Sequence, residues 1–180
     1  MTLNDYIKKN FEGYRLAKIT EYRNNHPEAI NKDDSTICQE LGLYLSDGNV
    51  VGQLLLYCAG MEIEREIAHA KENIITGFRE DDVEAWEYTN EQIMQMVPLS
   101  WEEINFIIKN VYDKIDNMLD KEIKELEEEY ESNMVLLRNP NTSSQLVSEL
   151  NHDSSSTLIN LTMVRNAKRV FDEESRGASR

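Results

Sequence analysis

Apolar residues along this chain recur mostly at steps of three and four, the period of one helical face. The first set is Leu3, Tyr6, Ile7 and Phe11, opened by Thr2-x-x-Asp5. It predicts a short amphipathic helix with Gly13 as its natural stop. The stretch 14–22 reads two ways. Tyr14, Leu16 and Lys18 alternate as in a strand, whereas Leu16, Ile19 and Tyr22 share a helical face. Pro27 breaks the chain, because the residue before a proline avoids the helical region. A further helix starts with Asp34 or Ser35 as its cap. "SDGN" at 46–49 is the clearest turn signal. A helix–turn–helix is the preferred reading there, with a small β-hairpin over 41–56 as the alternative. Val51, Leu54, Leu55, Cys58 and Met61 favour the helix. Ile63, Ile67, Ala70 and Ile74 continue it to a stop near Thr76-Gly77.

Asp81 with Glu84 then resembles a capping box. Val83, Trp86, Ile93 and Val97 predict one buried stripe on a helix that Pro98 ends. Ser100 with Glu103 opens the longest element, about 101–137. Ile104, Ile108, Val111, Ile115, Leu119, Leu126, Tyr130 and Leu137 hold one face of it. At 1.5 Å per residue it extends roughly 55 Å, more than the width of a domain this size. Part of it is therefore expected to pack on a second copy, through Ile108, Val111, Ile115, Leu119 and Leu126. A strict heptad from Ile115 would put Glu122 in the seam, so this is not a regular zipper. The Asn/Ser/Thr-rich stretch 139–157 reads as a polar linker or a loosely held loop. In 158–180, Leu158, Leu161, Val164 and Phe171 mark a C-terminal helix of mixed charge, whose basic side can dock on the chain's own acids. The predicted fold is mainly α: an irregular helical bundle over 1–138, a linker, and a helical tail.

The 180 residues suffice for a core without disulfides. With 34 acidic and 19 basic residues the net charge is −15. That disfavours direct binding to nucleic acid, whose phosphates it would repel, and suits a basic partner or simple solubility. "LLLYCAGM" is far too short to cross a bilayer, and the N-terminus has no apolar signal region, so no membrane association and a cytoplasmic location are expected. Cys38 and Cys58 form no CxxC and read as small hydrophobes.

Catalytic motifs are absent: no phosphate-binding glycine loop, no GxGxxG, no nucleophile elbow. A non-enzymatic role without cofactor is expected. One pattern points the other way. Glu66-x-x-His69 and Glu149-x-x-His152 share the spacing that places two ligands on one helical face, as in carboxylate-bridged di-iron bundles. This makes Glu66 and His69 weak metal-ligand candidates and a carboxylate–metal enzyme the third-ranked reading.

The more informative signal is a one-signed run. Between residues 80 and 108 stand Glu80, Asp81, Asp82, Glu84, Glu87, Glu91, Glu102 and Glu103, with no Lys or Arg. Helix capping and the helix dipole account for Asp81, Asp82, Glu84, Glu102 and Glu103. Glu87 and Glu91 are among the three left over. A stripe of carboxylates can occupy a groove lined by Arg and Lys that normally holds phosphates. With the exposed half of the long helix, "DKEIKELEEEYE", the candidate partner-binding set is Glu80, Asp81, Asp82, Glu84, Glu87, Glu91, Glu125, Glu128 and Glu129.

"FREDDVEAWEYTNEQ" and "DKEIKELEEEYE", in a small acidic chain rich in Asn, Lys, Ile and Glu, give the whole sequence a resemblance in style to proteins carried by phages of Firmicutes. Among these it is similar in size and charge to anti-CRISPR proteins that inhibit Cas9. That class has no common signature, so no residue role carries over. The resemblance implies a partner, CRISPR Cas9 or its complex with guide RNA, whose basic channel or PAM-reading surface is occupied or locked in the host bacterial cytoplasm. A self-associating helical adaptor, with a homodimer through the long helix, is the alternative. The mixed-sign tail is more than plain DNA mimicry requires.

Overall fold

The computed structural model describes residues 1–81 and 86–178, with side chains as far as 175. Within them are six α-helices, 3₁₀ residues at 27–31 and 86–87, and no strand. Helix α1, Leu3–Asn25, opens on a reciprocal cap: the Thr2 hydroxyl accepts the Asp5 amide at 3.1 Å and the Asp5 carboxylate accepts the Thr2 amide at 3.3 Å. It does not stop at Gly13. A mid-helix glycine costs about 1 kcal/mol relative to Ala, which the buried Tyr14 and Ile19 beyond it outweigh. The ambiguous 14–22 is thus helical, and Lys18 and Glu21 pair one turn apart at 2.8 Å. The 3₁₀ helix Pro27–Asn31 follows the proline break.

Helix α2, Asp34–Leu41, is capped one residue earlier than predicted, by Asp33, whose Oδ1 accepts the Thr36 amide at 2.7 Å. It ends on Gly42 at φ 63°, the left-handed region that favours glycine. The chain then turns through 42–47 directly into α3, Gly48–Asp81. The hairpin over 41–56 is not formed. Gly42 ends one helix, Asp47 accepts the Asn49 amide at 2.8 Å at the start of the next, and 50–56 bury Val51, Leu54 and Leu55 on a helical period.

Helix α3 runs past Thr76-Gly77 to Asp81. The helix expected over 81–97 is replaced by the short α4, Asn90–Met96, capped by Thr89 with Gln92. Ile93 is fully buried, but Trp86 is 71% exposed and Val97 is also exposed, so the predicted stripe holds only at Ile93. Val83 lies outside the described residues. Arg79 explains the rearrangement. Its Nη2 donates to the Tyr88 carbonyl at 3.3 Å and to Asn90 Oδ1 at 2.7 Å, and its guanidinium lies 5.3 Å from the Trp86 ring centre.

Helix α5, Trp101–Leu137, matches its prediction at both ends. Ser100 and Glu103 form the expected box, with Oγ accepting the Glu103 amide at 3.2 Å and Oε2 accepting the Ser100 amide at 2.9 Å. Helix α6, Ser144–Ala178, corrects the linker. Only 138–143 lie between the helices, and Ser143 accepts the Leu146 amide. The buried stripe of α6 is Leu150, Ser154, Thr157, Leu161, Val164, Ala167, Val170 and Phe171. Two of its members are polar, which hides the period from a hydrophobic reading.

Two compact units result: Met1–Cys58 with Asp116–Arg180, and Ala59–Ile115. In the first unit, the start of α3 meets α6 with backbone closeness. A Cβ on Gly52 would stand 2.7 Å from Val170 Cβ and 2.9 Å from the Ala167 carbonyl, and one on Gly48 would strike the Met163 carbonyl and Asn166.

Candidate interaction surface

The predicted acidic set divides between the two units. In the first, the predicted acids have partners within the chain. Glu125 and Glu128 lie 3.7 Å from Lys121 and Lys124 of their own helix, and Glu129 accepts the Thr157 hydroxyl at 2.8 Å. From α6, Arg165 pairs with Glu127, while Lys168 reaches Asp116, Asp120 and Asp172. The basic side of the C-terminal helix thus docks on the acidic half of α5, as its charge pattern predicts. Burial alone would lower the Lys168 pKa, but the hydrogen bonds to Asp116 and Asp120 outweigh it and hold the pKa above its ordinary value.

The second unit is different. Its 57 residues carry thirteen acidic and five basic groups, a net −8. The first unit's 123 residues carry twenty-one and fourteen, a net −7. Glu80, Asp81, Glu87, Glu91, Glu102 and Glu103 are all exposed there, and none forms an ion pair among the described residues. Asp82 and Glu84 lie outside the described residues.

Local structure explains fewer of these acids than the sequence implies. Asp81 was expected to cap a helix N-terminus. Instead Glu80 and Asp81 stand in the last turn of α3, at the negative end of the dipole, where an acid costs about 0.3–1 kcal/mol. Arg79 beside them is committed to Tyr88, Asn90 and Trp86. Glu91, Glu102 and Glu103 do sit in favourable first turns, and the hydrogen bonds from Ser100 lower the Glu103 pKa. Glu87 has neither role.

The predicted self-association seam is mostly spent within the chain. Val111, Ile115 and Leu119 are buried in the protein's own core and cannot also face a second copy, while Ile108 and Leu126 are half-buried. The length of α5 also finds a partner within the chain, since α6 pairs with it through Arg165–Glu127 and Lys168–Asp116. What the sequence reading missed is the opposite set. Trp101 is 78% and Phe106 66% exposed. Phe106 falls off the Ile104–Ile108–Val111–Ile115 period, which is the signal that could have found it, whereas Trp101 lies on that period three residues before Ile104.

Glu66 and His69 share a face of α3, but Arg65 pairs with Glu66 at 3.1 Å, and Glu149 of the second motif accepts from Gln145. Among the described residues no group of three or more His, Cys, Asp or Glu side chains is placed to hold a metal ion. Cys58 is buried, and Cys38 accepts a long contact from Arg15 at 3.7 Å. No helix of the described residues is long and apolar enough to cross a membrane. Comparison of the chain with protein-family models, with characterised proteins and with solved structures finds no match.

Proposed function

We propose that the protein is an inhibitor encoded by a phage or mobile element. It binds a basic, nucleic-acid-handling effector of a bacterial host, Cas9 or its guide RNA complex, and blocks DNA binding or cleavage from the host cytoplasm. The observation that carries this reading is the contrast between the units. In the first unit Glu125, Glu128 and Glu129 have partners within the fold. In Ala59–Ile115, six exposed carboxylates from three helix ends and one connecting segment stay unpaired among the described residues, two of them at a helix end that disfavours them. A fold that bears such repulsion without local return is consistent with selection for an external cation. A groove of arginines and lysines shaped for phosphates supplies that cation.

On this reading the interaction surface is narrower than the full acidic set. Glu125, Glu128 and Glu129 belong to the fold, and Glu87, Glu91 and Glu102 are the side chains to test. The experiment is equilibrium binding to immobilised Cas9–guide RNA at rising salt. Affinity falls steeply with ionic strength in wild type, and the Glu87→Gln/Glu91→Gln/Glu102→Gln variant binds more weakly with a shallower salt slope. A wild-type affinity indifferent to salt, or an unchanged slope in the variant, rejects this surface.

A further inference from the structure

Ser154 holds a position in the buried stripe of α6 and is only 7% exposed. Its Oγ is buried and has no hydrogen-bond partner among the described residues. Two hydroxyls beside it are satisfied. Ser155 Oγ donates to the Asn151 carbonyl at 2.8 Å, and Thr157 Oγ1 donates to the Glu129 carboxylate at 2.8 Å. A buried hydroxyl without a partner costs free energy that an alanine in the same place would not. A serine kept there therefore calls for a partner from outside the chain.

Ser154 lines a pocket of about 520 Å³ between the C-terminal part of α5 and the first half of α6, entirely within the first unit. That volume suits a small molecule. Met134 and Leu137 from α5, with Val147 and Leu158 from α6, give it apolar walls. Arg138 lines it where α5 ends. Of the six Lys and Arg side chains between residues 116 and 175, five form ion pairs and Arg138 does not. The contact of Thr157 with Glu129 sets the register of the two antiparallel helices, so Ser154 stands level with residue 132. Arg138 lies six residues further along α5, about 9 Å at 1.5 Å per residue. The pocket thus has a cation at one end, an apolar strip of about that length, and an unmet hydroxyl towards the other end.

We propose that this pocket binds a medium-chain carboxylate that carries a hydrogen-bonding group near its far end. The carboxylate pairs with Arg138. The alkyl chain covers Met134, Leu137 and Val147. The terminal hydroxyl or carbonyl meets Ser154, whose own hydroxyl can donate or accept. Binding there is independent of the proposed contact with Cas9.

Calorimetric titration of the full chain with 8-hydroxyoctanoate, octanoate and octane-1,8-diol tests this. The expected result is one-to-one binding of 8-hydroxyoctanoate with Kd below about 1 mM. It should bind at least about fivefold tighter than octanoate, which lacks the hydroxyl. It should also bind at least about threefold tighter than the diol, which lacks the charge. Ser154→Ala should reduce the affinity for 8-hydroxyoctanoate to that for octanoate. Binding of octanoate itself should be unchanged, which shows that the variant is folded. Arg138→Gln should weaken both carboxylates alike and leave the diol as in wild type. No binding of 8-hydroxyoctanoate at about 1 mM overturns the proposal. So does a stoichiometry well above one, as in detergent-like adsorption. Equal affinity for the three probes, or a hydroxyl preference that survives Ser154→Ala, overturns it as well.

Discussion

Lys168 of α6 donates to the carboxylate of Asp116 on α5, and the same Nζ lies 3.1 Å from Asp120. One half-buried cation thereby holds three acids, Asp172 included, that would otherwise repel one another. Lys168→Met keeps the apolar stem and removes the charge. It should destabilise the protein by about 1–2 kcal/mol, lowering Tm by about 3–6 °C. The folded-state pKa stands above the ordinary 10.5, so the ammonium's contribution is complete below that pH and drains as pH rises through the folded value. Urea unfolding of both proteins near pH 8 and above about pH 11 checks this, with the gap shrinking at the higher pH.

Gly48 and Gly52 set the approach of α3 to α6. A methyl at either position meets carbonyl oxygens of α6, which cannot swing aside as a side chain can. Gly52→Ala should cost about 1–3 kcal/mol, visible as a Tm loss of about 3–9 °C. Gly13→Ala, with nothing within 4 Å of the new methyl, should be stabilising by up to about 1 kcal/mol. Melts of the two variants side by side separate close approach from helix propensity.

Glu122 is strained electrostatically. Burial raises its pKa above 4.5 and the charge of Glu125 adds to the rise, against a smaller pull from Lys121. The folded state binds this proton more tightly than the unfolded chain, so stability falls as pH rises through that window. Glu122→Gln should therefore stabilise at neutral pH, by about 0.5 kcal/mol given its partial exposure. The advantage should vanish as pH approaches 4.5, which denaturant titrations across that range will show.

The sequence makes α5 legible because its cap, its apolar period and its length agree. The first half of α6 is hidden because Ser154 and Thr157 occupy core positions that a hydrophobic count ignores. The stretch after α3 misleads for a related reason. Asp81-x-x-Glu84 imitates a capping box that Thr89-x-x-Gln92 provides, and Arg79, remote from both in any periodic pattern, fixes Tyr88 and Asn90. The acid run is visible from the start. Which acids are spare is not, because the pairing of Asp116, Asp120 and Glu127 depends on α6 returning along α5. Trp86 reads as core from its spacing alone, and only tertiary structure turns it outward.

Charge reversal separates spare acids from structural ones. Glu87→Lys/Glu91→Lys should leave Tm within about 2 °C of wild type, since neither carboxylate has an ion-pair partner among the described residues. Glu127→Lys opposes Arg165 and should lower Tm by about 2–4 °C. Thermal melts at moderate salt distinguish the two classes before any partner is added.

The most direct measurement is DNA cleavage by a Cas9–guide RNA complex titrated with wild type and with the Glu87→Lys/Glu91→Lys/Glu102→Lys variant. Wild type is predicted to abolish cleavage near stoichiometric ratio. The variant, folded by circular dichroism, is predicted to need at least about tenfold more protein. Undiminished cleavage at excess wild type, or full inhibition by the variant, would contradict the acidic surface of Ala59–Ile115 as the inhibitory element.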